Sequence, residues 1–363
     1  MTYAFEIDFL PVGDGEHCGD AIAMRWREGG THRVLVYDGG TTEYGRKLAE
    51  HIRRHYGTDR IDYLVNSHPD NDHAAGLVHL VENLTVGEVW MHRPWEYSTQ
   101  IRHYFRDGRM TDTSLQERLQ KKMSAAHRLE QAALKRNIPV YEPFAGTTVG
   151  IFQVLSPGRT RYIHELVPTF EKTPQRKVES VQEAAERITM EDRNSAWKTE
   201  YLPSNVSTSA ENESSAILYA HYDGRGYLLT GDAGVESLAA AADFAAARGI
   251  QLPAQLKFVQ VPHHGGRHNV STEVLNRVIG CPVPESSEPK RTAFVSASKK
   301  APKHPKRSVT NAFIRRGFKV AQTKGAHIRF NVGMPPREGY GALTYVPFAQ
   351  EGDECPFTCP ATG

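Results

Sequence analysis

The chain has 363 residues, 44 basic and 42 acidic side chains, a formal net charge of +2 and 39% hydrophobic residues. This length allows one large domain with insertions or two ordinary domains, and the balanced charge by itself does not indicate nucleic acid as a partner. No apolar run approaches the ~18 residues that span a bilayer, which argues against a membrane protein. The beginning of the chain lacks the features of a secretory signal and the 4 cysteines are scattered, so we expect a cytoplasmic protein.

Short apolar runs separated by glycine begin the chain and predict an antiparallel meander of strands. Helical spacing follows, then a buried strand that ends in a polar cluster. The elements predicted for the first half are strands over 5–10, 21–26 and 34–37, a helix over 43–56, strands over 61–66 and 86–90, a helix over 114–136, and strands over 140–141 and 149–155.

The segment 171–213 is polar and without a sustained strand pattern, which indicates an insertion or a flexible cover, with a helix over 178–188. Strands and helices then alternate again, so the two comparable halves predict sheets covered by helices. The later elements are a hairpin over 216–221 and 227–230, a helix over 234–248, strands over 256–261, 292–296 and 318–322, and a helix over 309–316. We expect one domain over 1–348 with an insertion at about 95–211, and a loose tail over 349–363 that carries Cys355 and Cys359 as free thiols.

Four metal-capable side chains follow the strand predicted over 61–66: His68, Asp70, Asp72 and His73. Two imidazoles and two carboxylates at this spacing cannot all face one ion without strain, so we predict two neighbouring divalent ions. Imidazole suits zinc or iron, and carboxylate oxygen also suits manganese. The alternative is a surface turn rich in Asp and His.

Two further motifs stand at the ends of predicted strands. Asp232 ends the sequence Tyr-Leu-Leu-Thr-Gly-Asp and is a candidate bridging ligand, with a helix N-cap as the alternative. His263 and His264 are adjacent, and neighbouring side chains at a strand end point to opposite sides. One of them can therefore bind metal while the other contacts substrate, and we slightly favour His263 as the ligand.

In this order the motifs at 68–73, 228–232 and 261–265 resemble the metallo-β-lactamase superfamily, and within it the branch typified by the C-terminal domain of the ComEC competence protein. Residues 19–22 and 34–40 resemble its opening hairpin, 212–215 its Asn-rich turn, and His304-Pro305 its late His-Pro. The similarity spans about 5–330 outside the insertion. It implies an α/β (α+β) fold, a four-layer αββα metallo-β-lactamase sandwich with a helical and polar insertion and with the metals at one edge of the two sheets.

Two positions depart from the wider superfamily. Asp70 stands where a histidine is usual, and Asn212 stands where a further ligand histidine precedes the bridging aspartate. One metal site is thereby poorer in nitrogen, since asparagine is a weaker ligand than imidazole. That ion is then loosely held, is manganese rather than zinc, or is absent.

The motifs predict a metal-dependent hydrolase with two divalent ions, zinc or manganese, which generate the nucleophilic water and polarise the bond that breaks. Asp70 or Asp72 would orient that water. His264 and His304 would protonate the leaving oxygen or hold a phosphate.

A segment without acidic residues extends from Glu288 to Glu338 and surrounds His304 with positive charge. Such a segment attracts polyanions, although a solvated basic face is the alternative. The candidate substrate-binding residues are Lys299, Lys300, Lys303 and Asn212. The ComEC-like resemblance implies nuclease activity, so we predict a phosphodiesterase that acts on DNA, RNA or a short or cyclic nucleotide. A hydrolase of a small ester, thioester or lactam and a non-catalytic metal-binding module are the alternatives, and the sequence identifies no partner protein.

Overall fold

The computed structural model describes residues 3–15, 18–174, 197–200, 202–301 and 304–349. Within these ranges, strands form two mixed sheets of seven strands each, and helices flank them. This α/β sandwich confirms the fold class predicted from the sequence. In the same part of the chain, every helix is too short or too polar to cross a bilayer.

The strands, in chain order, are β1 (Phe5–Phe9), β2 (Ala21–Glu28), β3 (Thr31–Gly39), β4 (Arg60–Val65), β5 (Thr85–Trp90), β6 (Val140–Tyr141), β7 (Thr148–Val149), β8 (Phe152–Ser156), β9 (Ile217–Tyr222), β10 (Arg225–Leu229), β11 (Leu256–Gln260), β12 (Arg291–Val295), β13 (Phe318–Gln322) and β14 (Ile328–Val332). The α-helices are α1 (Thr42–His51), α2 (Asn71–Asn83), α3 (Ser98–Ile101), α4 (Asp112–Lys122), α5 (Ser124–Lys135), α6 (Arg159–Arg161), α7 (Ala210–Glu213), α8 (Val235–Ala247), α9 (Leu252–Gln255), α10 (Thr272–Ile279) and α11 (Arg307–Arg315).

Both sheets follow the same plan. The first has the order β14-β1-β2-β3-β4-β5-β6 and the second β13-β12-β11-β10-β9-β8-β7. Strands β3 to β6 run parallel to one another, as do β10 to β13, whereas the remaining neighbours are antiparallel. Parallel strands end at the same edge of a sheet, where α/β proteins place their ligand sites.

The inner faces of the two sheets form an aromatic core. Phe9 of β1 packs against Phe258 and Phe294 of the second sheet, with ring centroids 6.1 and 5.4 Å away. Side chains alternate along a strand, so Glu6 and Asp8 lie on the opposite face of β1. Both are fully buried and are paired with arginines, which compensates their charge.

The position of α2 depends on a close approach to the loop after β3. A Cβ added at Gly76 would lie 1.9 Å from the carbonyl oxygen of Gly39, so only glycine permits this contact. Leu77 and Leu80 of the same helix are fully buried in the core that α1 and α2 form with the first sheet. The helix start, and with it the polar cluster at 68–73, is thereby fixed against the sheet.

Three predicted elements are divided in the structure. The helix predicted over 43–56 is α1 followed by a π-helical turn, Ile52–Tyr56, and it ends at Gly57 with φ 67°. Met123 interrupts the helix predicted over 114–136, because its ψ of 49° leaves the helical region between α4 and α5. Gly150, with φ 58°, turns the strand predicted over 149–155 into the β7–β8 hairpin.

Some sequence predictions lie outside the described residues. These are the helix over 178–188, the side chain of Lys303, and the tail from residue 350 onward with Cys355 and Cys359. The sequence reasoning did not predict α10, β14 or the short helices α3, α6, α7 and α9.

Candidate metal centre

Three buried side chains meet where β4 and β10 end. His68 and His73 are fully buried, and Asp232 is 4% exposed. Asp232 Oδ2 lies 3.9 Å from Nε2 of His68 and 3.5 Å from Nε2 of His73. Within the described residues, both Nε2 atoms and Oδ1 of Asp232 lack a hydrogen-bond partner. Buried polar atoms are rarely left unpaired, so this donor set fits a divalent cation.

A second donor group overlaps the first. Ligand atoms of Asp72, His73 and His264 lie within 4.8 Å of one another. His264 is 6% exposed, and its Nε2 lies 3.9 Å from Oδ1 of Asp232. Of the two histidines that end β11, His264 therefore belongs to a metal-capable group of the described residues, although the sequence slightly favoured His263 as the ligand.

The turn after β10 directs Asp232 into the cluster. Gly231 has φ 53°, and a Cβ there would lie 2.9 Å from the hydroxyl oxygen of Tyr37. Gln260 Oε1 accepts hydrogen bonds from the backbone N–H groups of Thr230 and Gly231, at 2.9 and 3.0 Å. A glycine is required at this position because a side chain would both strain the backbone and contact Tyr37.

The turn after β11 has a strained backbone. His263 and His264 have φ values of 46° and 54°, and Gly265 follows with 78°. Two consecutive non-glycine residues in the left-handed region are costly and are typical of functional sites. The backbone N–H of His263 donates to the carbonyl of Gly231, and that of Lys306 donates to the carbonyl of Gly265, so both sides of the turn are held.

His263 lies at the outer rim of the centre. Its side chain is 32% exposed, and its Nε2 is 3.8 Å from Oδ2 of Asp232. Its Nδ1 lies 3.2 Å from the amide nitrogen of Asn212, which also donates to the Thr208 hydroxyl at 2.8 Å. Asn212, predicted as a substrate contact, is thus 7% exposed and contacts His263.

Asp38 orients His68, which precedes α2, and His73, which lies in the first turn of α2. Its carboxylate accepts from the backbone N–H and hydroxyl of Ser67, at 2.7 and 2.6 Å, and from Nδ1 of His73 at 2.9 Å. Because the Ser67 hydroxyl gives its proton to Asp38, it accepts from Nδ1 of His68, 2.9 Å away. Both Nε2 atoms are then left as metal donors. The sequence reasoning missed Asp38, whose Asp-Gly-Gly at a strand end was the available signal.

Negative charge dominates the centre. Burial works against a charged His73, yet Asp232, Asp38 and Asp72 raise its pKa well above the ordinary value. Burial raises the pKa of Asp20 to about 7, with His73 opposing the increase and Asp232 and Asp38 adding to it. Such excess negative charge favours a bound cation.

Burial has the opposite effect on His264. It lowers the pKa of this imidazole to about 4, although the charge of Asp232 acts in the other direction. The neutral imidazole is the form that binds metal ions.

Asp70 has a different partner from the other candidate ligands. Its Oδ2 lies 3.6 Å from Nε2 of His68, and its other oxygen accepts a hydrogen bond from the ammonium group of Lys172. Burial opposes ionisation, but His68 and Lys172 hold the pKa of Asp70 below its usual range. Nothing in the sequence connected Lys172 with this site.

A cavity of about 430 Å³ adjoins the centre, and we call it the basic cavity. Its lining consists of Ser207, Thr208, His263, Gly266, Arg267, His268, Asn269, His304 and Lys306, without a carboxylate among these described residues. The ring of His304 lies 6.4 Å from that of His263 and is nearly parallel to it. Burial and the positive charges of Arg267 and Lys306 lower the pKa of His268, which indicates a positive potential in the cavity.

The predicted basic residues are only partly found at the cavity. His304 belongs to its lining, whereas Lys299 and Lys300 are exposed and are absent from the lining that the described residues form. The side chain of Lys299 lies close to Gly325 instead. Arg267, His268 and Lys306 line the cavity, although the sequence reasoning did not select them as substrate contacts.

The family model described as "Metallo-beta-lactamase superfamily" matches residues 24–169, which include the cluster at 68–73. This part of the chain is therefore similar to the metallo-β-lactamase superfamily, whose members are generally hydrolytic enzymes that bind divalent metal, often zinc. The more specific ComEC-like branch remains a prediction.

The chain is also similar to solved structures, at low sequence identity and low TM-score. The metallo-beta-lactamase fold protein YhfI from Bacillus subtilis is 9% identical, over 91% of this chain and 100% of that chain, with a TM-score of 0.39. A mutant of CmlA beta-hydroxylase is 12% identical, over 92% of this chain and 54% of that chain, with a TM-score of 0.35. At these scores the likenesses carry no information about substrate. No curated protein matches the sequence.

Proposed function

We propose that the protein is a metal-dependent hydrolase of phosphodiesters in a nucleic acid or a nucleotide. The observation that supports this most directly is that His263 belongs both to the lining of the basic cavity and to the rim of the metal centre, 3.8 Å from Asp232. A phosphate seated near Arg267 and Lys306 would present its neighbouring ester bond to the metal ligands. The volume of 430 Å³ falls within the ~300–1,000 Å³ of small-ligand pockets.

The residues that would hold divalent ions are His68, Asp72, His73, Asp232 and His264. Their mixture of imidazole and carboxylate suits zinc and also manganese. A bound ion would lower the pKa of a water molecule and polarise the phosphoryl oxygen. The protein's own contribution is the orientation of His68 and His73 through Ser67 and Asp38, which leaves their Nε2 atoms without a hydrogen-bond partner among the described residues.

His263 is the proposed hydrogen-bond donor to the leaving oxygen. The Asn212 amide donates to its Nδ1, so a neutral His263 carries its proton on Nε2, on the side of the metal centre. A protonated Nε2 cannot bind a metal ion, but its N–H can donate a hydrogen bond to the negative charge that develops on the leaving oxygen. This assigns the two neighbouring histidines in the reverse order to the sequence preference, with His264 as the ligand and His263 as the hydrogen-bond donor.

A substrate panel tests the proposal. The metal-stripped protein is supplied with zinc, manganese or magnesium and is assayed on bis(p-nitrophenyl) phosphate, p-nitrophenyl acetate, a chromogenic cephalosporin, single-stranded DNA, duplex DNA, RNA and a cyclic dinucleotide. We expect diester hydrolysis that depends on added metal and is lost in Asp232→Asn. Hydrolysis of only the carboxylic ester or the lactam would contradict the phosphodiester assignment. Bound metal without any turnover would indicate a non-catalytic module.

The length of the substrate is tested by salt. Cleavage of a nucleic acid that contacts several basic residues should weaken steeply as salt rises, because counterion release contributes to binding. Hydrolysis of a small diester should change little over the same range. A flat response with every polymer would point to a nucleotide-sized substrate in the basic cavity.

A further inference from the structure

The metal centre has two halves, and His73 lies between them. Asp72 and His264 form a metal-capable group with His73, and His68 forms another with His73 and Asp232. The Nε2 atom of His68 lies 3.9 Å from Asp232 and 3.6 Å from Asp70, which places Asp70 in the half with His68. Each half thus adds one imidazole and one carboxylate to the residues between them, and the halves differ in what contacts that carboxylate.

The half with His68 already contains a cation that belongs to the chain. The Lys172 ammonium donates to Asp70 although the two residues are 102 positions apart. Side-chain exposures of 31% for Lys172 and 29% for Asp70 place the pair at the rim of the centre, partly withdrawn from water. Charge-assisted hydrogen bonds of this kind are stronger than neutral ones.

The main chain around Lys172 is fixed from two sides. Its backbone N–H donates to the carboxylate of Glu211 at 3.2 Å, and Glu211 is 2% exposed. Two residues earlier, Phe170 is 2% exposed, and its ring lies 6.2 Å from that of Tyr162. The ammonium is therefore presented to Asp70 by an anchored backbone, which reduces the entropy that the pair loses on forming.

We propose that Lys172 is an internal counter-cation at Asp70, so that the centre binds one divalent ion tightly and a second only weakly. This inference rests on the proposed metal-dependent function. A dication in the half with His68 must either displace the Lys172 ammonium from Asp70 or bind beside that positive charge. Either requirement lowers the affinity of this half for the dication. Lys172 thereby provides positive charge that a second metal ion would otherwise provide.

The test is a metal titration of the full chain, which needs no turnover. Zinc and manganese are titrated into the metal-stripped protein by calorimetry, and bound metal is counted after equilibrium dialysis. In the wild-type protein we expect one tight ion and a second that binds at least about tenfold more weakly. Lys172→Met should raise the affinity for the second ion about tenfold and leave the affinity for the first ion unchanged. Lys172→Gln, a second neutral variant, should do the same.

Three controls separate charge from general disturbance. Lys172→Arg keeps a cation beside Asp70 and should retain the weak second ion. Lys47→Met removes an exposed lysine that pairs with Glu43 and is not part of the metal centre. It should change the affinity for neither ion. In the double variant Asp70→Asn, Lys172→Met, the gain in affinity for the second ion should disappear, because the Asp70 carboxylate that binds either the ammonium or the ion has been removed.

The outcomes distinguish this inference from the proposed function. Two equally tight ions in the wild-type protein, or an unchanged second ion in both neutral variants of Lys172, would overturn the role of Lys172 and leave the metal-dependent function in place. A wild-type protein that binds neither zinc nor manganese would overturn the proposed function itself.

Discussion

The amide nitrogen of Asn212 lies 3.2 Å from Nδ1 of His263, which joins helix α7 to the turn after β11. Asn212 is the position where the wider superfamily is expected to place a ligand histidine, yet here its side chain contacts a neighbouring imidazole. The hydrogen bond leaves the proton of neutral His263 on Nε2. The geometry therefore gives different tasks to His263 and His264, although they are adjacent in the sequence.

Single alanine variants of the two histidines should fail in different ways. His264→Ala removes a buried donor of the metal-capable group with Asp72 and His73, so we expect a large loss of metal affinity. His263→Ala should retain the metal and lose about 10²–10³-fold in kcat, the usual cost of removing one hydrogen-bond donor to a developing negative charge. Bound metal is measured by elemental analysis. The kcat is measured with an activated diester, bis(p-nitrophenyl) phosphate, and with an unactivated one, single-stranded DNA.

The leaving group provides the control for this pair. p-Nitrophenolate is a stable anion that gains little from a hydrogen bond, so His263→Ala should affect the activated diester less than a substrate with an alkoxide leaving group. Loss of metal in His263→Ala with retention in His264→Ala would reverse the assignment.

Asp38→Asn should weaken metal binding about 10–100-fold, the usual effect of removing a group that orients a ligand imidazole. Asp38 has φ 60°, a conformation that asparagine tolerates, so the backbone should be maintained while the acceptor of His73 and Ser67 changes. Metal affinity by competition with a chelating dye is the measurement. Asp59→Asn is the matched control because Asp59 is 66% exposed and pairs only at the surface with Arg53. Equal affinities in the two variants would show that Asp38 does not orient His73.

The part of the site that sequence reasoning found consists of residues close together in the chain or placed at strand ends. The cluster at 68–73 and Asp232 follow buried strands, and their chemistry is visible from spacing alone. Lys172 was missed because its partner Asp70 is 102 residues away and the segment between them has no pattern that predicts the contact. Arg267 and His268 were missed because they border the basic cavity only after the turn at His263 has folded.

The fold shows the same division. The antiparallel meander β1 to β3 was predicted from short apolar runs separated by glycine, and its pairing is found as expected. Strand β14 was not predicted, although Ile328, Phe330 and Val332 alternate with polar residues. It pairs with β1 through contacts such as Phe5 to Val332, and a partner so distant in the chain gives no local signal. Met123 shows the opposite case, in which continuous helical composition conceals a break in the backbone.

Substitutions at the basic cavity should affect nucleic-acid substrates selectively. Arg267→Ala and Lys306→Ala should each raise KM for a nucleic acid and lower the salt dependence by about one phosphate contact, a slope change of ~0.7–0.9. The backbone N–H of Lys306 would still bond to Gly265, so the His263 turn should be retained in Lys306→Ala. KM is compared over a range of salt concentrations for a nucleic acid and for a neutral ester.

The three lysines predicted as substrate contacts provide the comparison for the Arg267 and Lys306 variants. Charge reversal at Lys299, Lys300 and Lys303 should raise KM for nucleic acid less than the loss of Arg267 and Lys306, because Lys299 and Lys300 do not line the cavity in the described structure. A larger effect from the three lysines would move the substrate path away from the basic cavity.

The outer face of β1 should control acid stability independently of the metal centre. Arg337 donates to Asp8 at 2.6 Å and to Glu6 at 2.7 Å, and both carboxylates are fully buried. Arg337→Met leaves Glu6 paired with Arg25 and Arg329 but removes the arginine that donates to Asp8. It should lower the free energy of unfolding by about 3–5 kcal/mol, measured by urea denaturation at pH 7. Lys47→Met breaks an exposed pair with Glu43 and should cost at most about 0.5 kcal/mol.

The pH dependence of unfolding tests the same cluster. Burial opposes ionisation of Asp8, but His51 and Arg337 lower its pKa below the ordinary value. A carboxyl group whose folded-state pKa is depressed stabilises the protein above its unfolded pKa of about 3.9, and this contribution is lost as the pH falls through the lower, folded-state pKa. In Arg337→Met the folded-state pKa of Asp8 should rise, so that acid destabilisation begins at a higher pH than in the wild-type protein. Unfolding curves between neutral and acidic pH that remain parallel for the two proteins would show that Arg337 does not stabilise the charge of Asp8.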